Sequence, residues 1–265
     1  MGWIVLKRKN GVTLIELLIA LALSSILIAA LYRVFISQHK TYGIQDQVAD
    51  MQQNVRIAVG QMTREIRMAG YGGNILAIFG NINGFTDIVT PADNSITVIL
   101  ADQVGVLKQT APKGLNQLKV TNASIFNMDK KKYLCLNGLN NYSIQSIVTD
   151  TITLTTSLSE DHVINEPVYL VKAITYTLGV SGGKPALRRN ENTGGGAQPV
   201  AERIESLQFS YFDENGNGTA NPPDIRMVKV TVTAKTNRFD PEYKGGDGYR
   251  RRILSSYIKV RNIGF

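Results

Sequence analysis

Residues 7–31 read KRKNGVTLIELLIALALSSILIAAL, and their order decides the architecture. Three cations, Lys7, Arg8 and Lys9, come first. Asn10 and Gly11 follow, then apolar residues 12–31, in which Glu16 is the only charge. A helix rises about 1.5 Å per residue, so this run would extend roughly 30 Å, the thickness of a bilayer's hydrocarbon core. Basic residues beside a first span favour keeping that flank in the cytoplasm. The chain from about residue 33 onward is then expected on the far side. A cleaved secretory signal has a shorter apolar region, about 7–15 residues, closed by a small-x-small site. The exit here, Ala29-Ala30-Leu31 before Tyr32-Arg33, matches that poorly. A plain uncleaved anchor explains the length but not Glu16. A carboxylate within an apolar span costs about 2.5–3.5 kcal/mol at mid-membrane and less near an end, so a chain that keeps one is expected to use it.

The stretch Lys7-Arg8-Lys9-Asn10-Gly11, followed by Val12-Thr13-Leu14-Ile15-Glu16, resembles the class III signal of type IV prepilins. The resemblance implies a dedicated prepilin peptidase that cuts between Gly11 and Val12 on the cytoplasmic face and methylates the new amine of Val12. It makes Glu16 the fifth residue of the mature chain and its assembly contact. Val12 departs from the family, where phenylalanine or methionine is usual at that place.

No proline precedes Pro91, so one helix can run from residue 12 to about residue 69. Past the apolar run, Val48, Met51, Val55, Val59, Met62, Ile66 and Ala69 recur at three- and four-residue steps, an amphipathic stripe. Gln52, Gln53, Asn54, Arg56, Gln61, Arg64 and Glu65 fall between them as the polar set. Gly43 and Gly60 each weaken a helix by about 1 kcal/mol, and Gly43 is a candidate bend. Gly70 and Gly72-Gly73 supply a stop. Such a helix would be about 87 Å long, more than a single domain needs. A coiled coil would want charged e and g positions, which are missing. A helix apolar all round in its first half and one-sided in its second fits the pilin plan, the first half packing on other subunits and the second under its own head. Residues 51–71, MQQNVRIAVGQMTREIRMAGY, resemble the helix end of PilW-like minor pilins. Pseudopilins of the J kind from type II secretion look similar over the same stretch.

From about Asn74 the period changes. Residues 96–101, 144–148, 151–155, 167–178, 204–212, 225–235 and 253–263 are β-branched or aromatic runs bounded by Gly, Asn, Asp and Pro. Val228, Val230, Val232 and Ala234 alternate with Lys229, Thr231 and Thr233, marking one buried and one solvated face. The expected class is α+β: the type IV pilin fold implied by the resemblance, a long N-terminal helix packed on an antiparallel β-sheet head. Residues 1–11 form the leader, 12–70 the helix, with 12–31 as membrane and assembly segment, and 71–265 the head. Gly182-Gly183 and Gly194-Gly195-Gly196 read as mobile loops.

The chemistry of the head is mostly negative information. Hydrophobic residues make up 43 %, too few for several membrane spans. The net charge of +8 leaves a mildly basic head, weak support for nucleic acid. Cys135 is the single cysteine; it cannot form an internal disulfide and reads as a small buried hydrophobe. With His39 and His162 as the only histidines, neither a thiol nucleophile nor a His/Cys zinc site is expected. There is no G-x-S-x-G, P-loop, HExxH or dinucleotide fingerprint, and Glu160-Asp161 reads as a solvated pair in a turn. No enzymatic role is expected. Residues 213–224, DENGNGTANPPD, match the first half of a calcium loop, with Asp213, Asn215, Asn217, Thr219 and Asp224 as candidate oxygen ligands. Strand flanks, the stiff Pro222-Pro223 pair and an Asp in the twelfth place favour the other reading, an Asn/Gly-rich hairpin loop. Arg250-Arg251-Arg252 with Lys259 and Arg261 forms a basic cluster. Phosphates are bound by such residues, yet charges guarding a strand edge are their commoner use, so DNA is not expected as a partner.

Together with the resemblance, these features imply a PilW-like minor pilin, N-terminus cytoplasmic and head periplasmic, that later sits in a pilus at the cell surface. The implied partners are the prepilin peptidase, other minor pilins, the major pilin and an inner-membrane assembly platform. A type II secretion pseudopilin of the J kind and an uncleaved membrane-anchored binding domain are the alternatives.

Overall fold

The structure, a computed structural model, describes residues 11–263. The leader cations Lys7, Arg8 and Lys9 lie outside the described residues. The chain divides into two compact units, Met1–Ala49 and Asp50–Phe265. Helix α1, Leu14–Met68, contributes to both. Its hydrogen-bonded run continues through Gly43 and Gly60. It stops where Gly70 takes a φ of +80°, a left-handed conformation that favours glycine. A Cβ at Gly70 would also strike the carbonyl oxygen of Asn262.

In α1, Met51, Val55, Val59, Met62 and Ile66 of the stripe are buried, Val48 is half-buried, and Ala58, outside the stripe read from the sequence, is buried beside them. Each fully buried side chain of this size contributes about 1.5–3 kcal/mol. Glu65 departs from its place in the polar set: it is buried, with 6 % of its surface exposed. Glu65 sits beside Ile66 at the stripe's rim, where Tyr176 and Arg189 of the head bond its carboxylate.

The remainder of this unit comprises a short helix α2 (Ile75–Phe79) and strands β1 (Val89–Pro91), β2 (Ser95–Val106), β3 (Gln117–Lys119), β4 (Tyr133–Leu136), β5 (Asn140–Val148), β6 (Thr151–Leu154), β7 (Pro167–Ser181), β8 (Lys184–Asn190), β9 (Ala197–Glu202), β10 (Ile204–Phe212), β11 (Met227–Lys235) and β12 (Arg251–Lys259). One sheet runs β1-β2-β7-β4-β5-β6-β3, with β8 beside β7 and β9 beside β8; a second runs β10-β11-β12. Every pairing between these strands is antiparallel. The fold is therefore α+β, a long apolar N-terminal helix whose later part packs on antiparallel sheets, as in the pilin plan.

Gly182-Gly183 forms a tight hairpin turn rather than a mobile loop. Ser181 pairs with Lys184 across it, and both glycines have positive φ, +55° and +77°. Two such residues give the type I′ geometry whose twist matches paired strands. Gly194-Gly195-Gly196 joins β8 to β9, and the Gly195 carbonyl accepts a bond from Gln198 Nε2 at 3.0 Å. Strand β4 was not foreseen, because it is four residues long and buried on both faces. Leu134 and Leu136 enter one core with Val168 and Leu170 of β7, while Cys135 enters another with Val171 and Ala173. A strand covered on both sides shows no alternation.

Candidate functional site

The amino-terminal site is built from Gly11, Val12, Thr13 and Glu16. Gly11, Val12 and Thr13 precede the helix and are exposed. A Cβ at Gly11 would meet nothing within 4 Å. Thr13 is the helix cap. Its backbone N–H and its hydroxyl each donate to Glu16 Oε2 at 2.9 Å, and Glu16 N–H donates to Thr13 Oγ1 at 3.3 Å. This reciprocal arrangement is a capping box, Thr-x-x-Glu, which satisfies two of the orphan donors at a helix start. Acidic charge in the first turn also complements the helix dipole. Sequence reasoning singled out Glu16 as a charge in an apolar run; the structure adds that its carboxylate is already engaged by Thr13.

Downstream of Glu16 the apolar side chains are exposed, Leu17, Ile19, Leu23, Ile26 and Leu27 among them. α1 is long and apolar enough to cross a membrane. Apolar surface of this extent needs lipid or another apolar helix to cover it.

In the head, the end of α1 is tied down by buried polar groups. Tyr176 OH donates to Glu65 Oε2 at 2.6 Å, and Arg189 Nε donates to the same carboxylate at 3.0 and 3.1 Å. Arg189 Nη1 continues to Glu191 Oε1 at 2.8 Å, and Lys172 Nζ joins Glu191 at 2.7 Å and Asp102 at 3.0 Å. Burial first, then the facing Glu65 carboxylate, pushes the Tyr176 hydroxyl far above the usual tyrosine range. This network links helix, β2, β7 and β8. It was missed in the sequence because Glu65 is separated from Tyr176 and Arg189 by more than a hundred residues. Beyond the helix, Tyr71 OH donates to Tyr169 OH at 3.2 Å.

The 213–224 loop holds its own hydrogen bonds. Asp213 Oδ1 accepts from the backbone N–H of Asn215 (2.9 Å) and Asn217 (2.8 Å), and Oδ2 accepts from Asn217 Nδ2 at 3.2 Å. These donors, the Asn217 backbone first, hold the Asp213 carboxyl below its ordinary range. Thr219 bonds back to the Tyr211 carbonyl at 3.0 Å, and Asn221 Nδ2 donates to Asp224 Oδ2 at 2.8 Å. Asp213, Glu214, Asn215 and Asp224 line one small pocket together with Arg226. Among the described residues no group of three or more His, Cys, Asp or Glu side chains gathers as metal ligands would. The donor set thus fits a turn organised by Asp213 better than a divalent cation, which would share its pocket with a guanidinium.

The basic cluster near the C-terminus is partly neutralised. Arg250 pairs with Asp240 at 2.8 Å, and Arg251 with Glu205 at 2.6 Å and Asp247 at 2.7 Å. Cys135 is buried, which pushes its thiol up to about 12.

Residues 6–32 match the prokaryotic N-terminal methylation motif. That match supports a type IV pilin or pseudopilin, a structural class, and it implies processing by a prepilin peptidase and assembly with other pilins. Comparison with curated proteins and with solved structures gives no match.

Proposed function

We propose that this chain is a minor pilin of the PilW-like kind, cut between Gly11 and Val12, methylated on Val12, and assembled through its apolar helix with other minor pilins in a priming or tip complex. The observation that carries this reading is the combination at the helix start. Gly11, where an added Cβ would meet none of the described residues, stands next to a capped helix whose apolar surface is exposed on all sides. After the cut, Val12 would carry a positive amine close to the Glu16 carboxylate. Each charge is costly in lipid alone, and pairing between neighbouring subunits would neutralise both where water is scarce. The head would lie on the periplasmic side and later at the pilus surface.

Sequencing the mature terminus by mass spectrometry tests the processing step. A start at N-methyl-Val12 is expected, and an intact Met1 overturns the reading. Gly11→Val should leave precursor in the membrane with the head folded as before, since its added side chain meets none of the described residues.

The capping box sharpens the test of assembly. Glutamine also closes a capping box. Glu16→Gln therefore keeps the helix start and removes only the charge, whereas Glu16→Ala removes both. Both variants are expected to insert and be cleaved, and both should co-purify poorly with pilin partners and lower pilus yield. Wild-type assembly of Glu16→Gln alongside defective Glu16→Ala would reduce Glu16 to a helix cap.

A further inference from the structure

We propose that Asn215 is a site of spontaneous modification: the Gly216 backbone nitrogen displaces its side-chain amide, and aspartate or isoaspartate takes its place, while the bonds of Asp213 spare Asn217 close by. The inference rests on the head alone and does not depend on the function proposed above.

An asparagine followed by glycine is the pair in which this reaction is easiest, because glycine puts no side chain beside the attacking nitrogen and leaves the backbone free to turn. Four such pairs lie among the described residues: Asn83-Gly84, Asn137-Gly138, Asn215-Gly216 and Asn217-Gly218. By sequence the four rank alike. Ring closure requires the carboxamide carbon to swing onto the next nitrogen, and the peptide plane between the two residues must turn with it. Whatever holds the carboxamide, that nitrogen or that plane therefore decides the rate.

The fold holds three of the four. Asn83 lies in the turn where Ile82 and Phe85 exchange backbone bonds at 2.9 and 3.0 Å; its Nδ2 is buried, and the Gly84 N–H donates to Asn81 Oδ1 at 3.3 Å. Asn137 Oδ1 accepts from the Leu139 N–H at 3.1 Å, its Nδ2 donates to Glu160 Oε1 at 3.3 Å, and Gly138 packs against the Tyr71 ring. Asn217 is pinned by Asp213: its N–H donates to Oδ1 at 2.8 Å, its Nδ2 donates to Oδ2 at 3.2 Å, and its carbonyl accepts from the Asp213 N–H at 2.9 Å. At Asn215 only the backbone N–H is engaged, by Asp213 Oδ1 at 2.9 Å. Its carboxamide and its carbonyl make no hydrogen bond among the described residues, and the residue is exposed. Gly216 is exposed as well; its N–H makes a long 3.2 Å contact with the Asp213 carbonyl, and the side where a Cβ would stand is open space.

The step balances with water as the only co-reactant. The Gly216 nitrogen gives up its proton to solvent and attacks Asn215 Cγ. The N–Cγ bond forms, the Cγ–Nδ2 bond breaks, and ammonia leaves with a proton taken from solvent. Water then opens the succinimide ring at either carbonyl. Attack at Cγ gives aspartate; attack at the main-chain carbonyl gives isoaspartate, with the chain running through Cβ. Either product adds a negative charge beside Asp213, Glu214 and Asp224. Isoaspartate also lengthens the backbone inside the turn that the Asp213 N–H and the Asn217 carbonyl close.

The test follows the full-length protein in detergent micelles through a long incubation in warm, mildly alkaline buffer, beside a parallel sample whose head is unfolded in urea. Digestion and mass spectrometry score each Asn-Gly pair, and an endoproteinase that cuts before aspartate separates aspartate from isoaspartate. In the folded protein Asn215 should react about ten-fold or more faster than each of the other three, on the order of 1.4 kcal/mol in barrier. In urea, where no fold holds any pair, the four rates should draw together. Asp213→Ala should bring Asn217 close to the rate of Asn215. Asn215→Gln, whose longer side chain closes a larger ring slowly, should remove the first acidic species that ion exchange resolves. Asn83, Asn137 or Asn217 keeping pace with Asn215 in the folded protein would overturn the proposal. So would an Asn215 that reacts only in urea, a spread of rates that survives unfolding, an Asn217 that stays slow in Asp213→Ala, or an acidic species that persists in Asn215→Gln.

Discussion

Glu16 and Glu65 lie on one helix and show how differently a carboxylate can be used. Glu16 closes a local box with Thr13, three residues away; its charge stood out in the sequence, and the structure supplied its partner. Glu65 has partners on β7 and β8, and nothing nearby in the chain announces them. Replacing Glu65 with alanine would leave Tyr176 OH and the Arg189 guanidinium buried without their acceptor. The expected loss is about 3–5 kcal/mol, and Glu65→Gln, which keeps an acceptor, should lose less. Urea unfolding of the full chain measures both, and a loss below about 1 kcal/mol for the alanine variant would contradict the network's role. Cys135 makes a second prediction at this scale. Its thiol, held up to about 12 by burial, faces the carbonyls of Gly72 and Leu136 at 3.7 and 3.6 Å. Iodoacetamide at pH 8 should leave it unmodified in the folded protein and alkylate it after unfolding, because the thiolate is the reactive form. The buried reading was available from composition; the strand that buries it was not.

Among the elements, the second half of α1 was the most readable. Met51, Val55, Val59, Met62 and Ile66 appear at helical spacing in the sequence and are buried in the fold. Met62 and Ile66 are fully enclosed, so Met62→Ala or Ile66→Ala is expected to cost about 2–5 kcal/mol, read from the thermal or urea midpoint. The same substitution at Ile57, which is exposed on the opposite side, should cost far less. The 213–224 loop was legible as a loop but ambiguous in role, since Asp, Asn and Gly serve both cation cages and turns. The bonds made by Asp213 favour the turn. Asp213→Ala should therefore lower stability by about 0.5–2 kcal/mol with or without calcium, by analogy with loss of a helix cap. Calcium should leave the melting temperature of the parent unchanged. A rise equivalent to about 2.7 kcal/mol at a hundred-fold excess over Kd, lost in Asp213→Ala, would restore the cation reading.

For the molecule as a whole, ion pairs between distant segments set an acid limit. Arg251 draws the Glu205 carboxyl below its usual range, with Lys235 adding to the effect, and it draws Asp247 down as well. For Glu191 burial works the other way, but Lys172 and Arg189 outweigh it and the carboxyl is lowered. A carboxyl lowered in the folded state stabilises fully above its unfolded value and loses that contribution as pH falls. Unfolded carboxyls titrate near about pH 4. The melting temperature should thus hold from neutral pH to about 4.5 and fall below it, less steeply in Glu205→Gln; a flat profile to pH 3 would refute this account. By itself the sequence determined what depends on short range: the apolar run with Gly11 and Glu16 at its start, the helical stripe, the glycine stop and the alternation of β11. Hydropathy period, capping and turn chemistry act over a few residues, so they are written in order along the chain. Only the tertiary structure decided the division into two sheets, the burial of both faces of β4, the partners of Glu65 and the open edge of β12. Those depend on which distant strands meet, and strand pairing joins segments far apart through backbone groups that every residue carries alike.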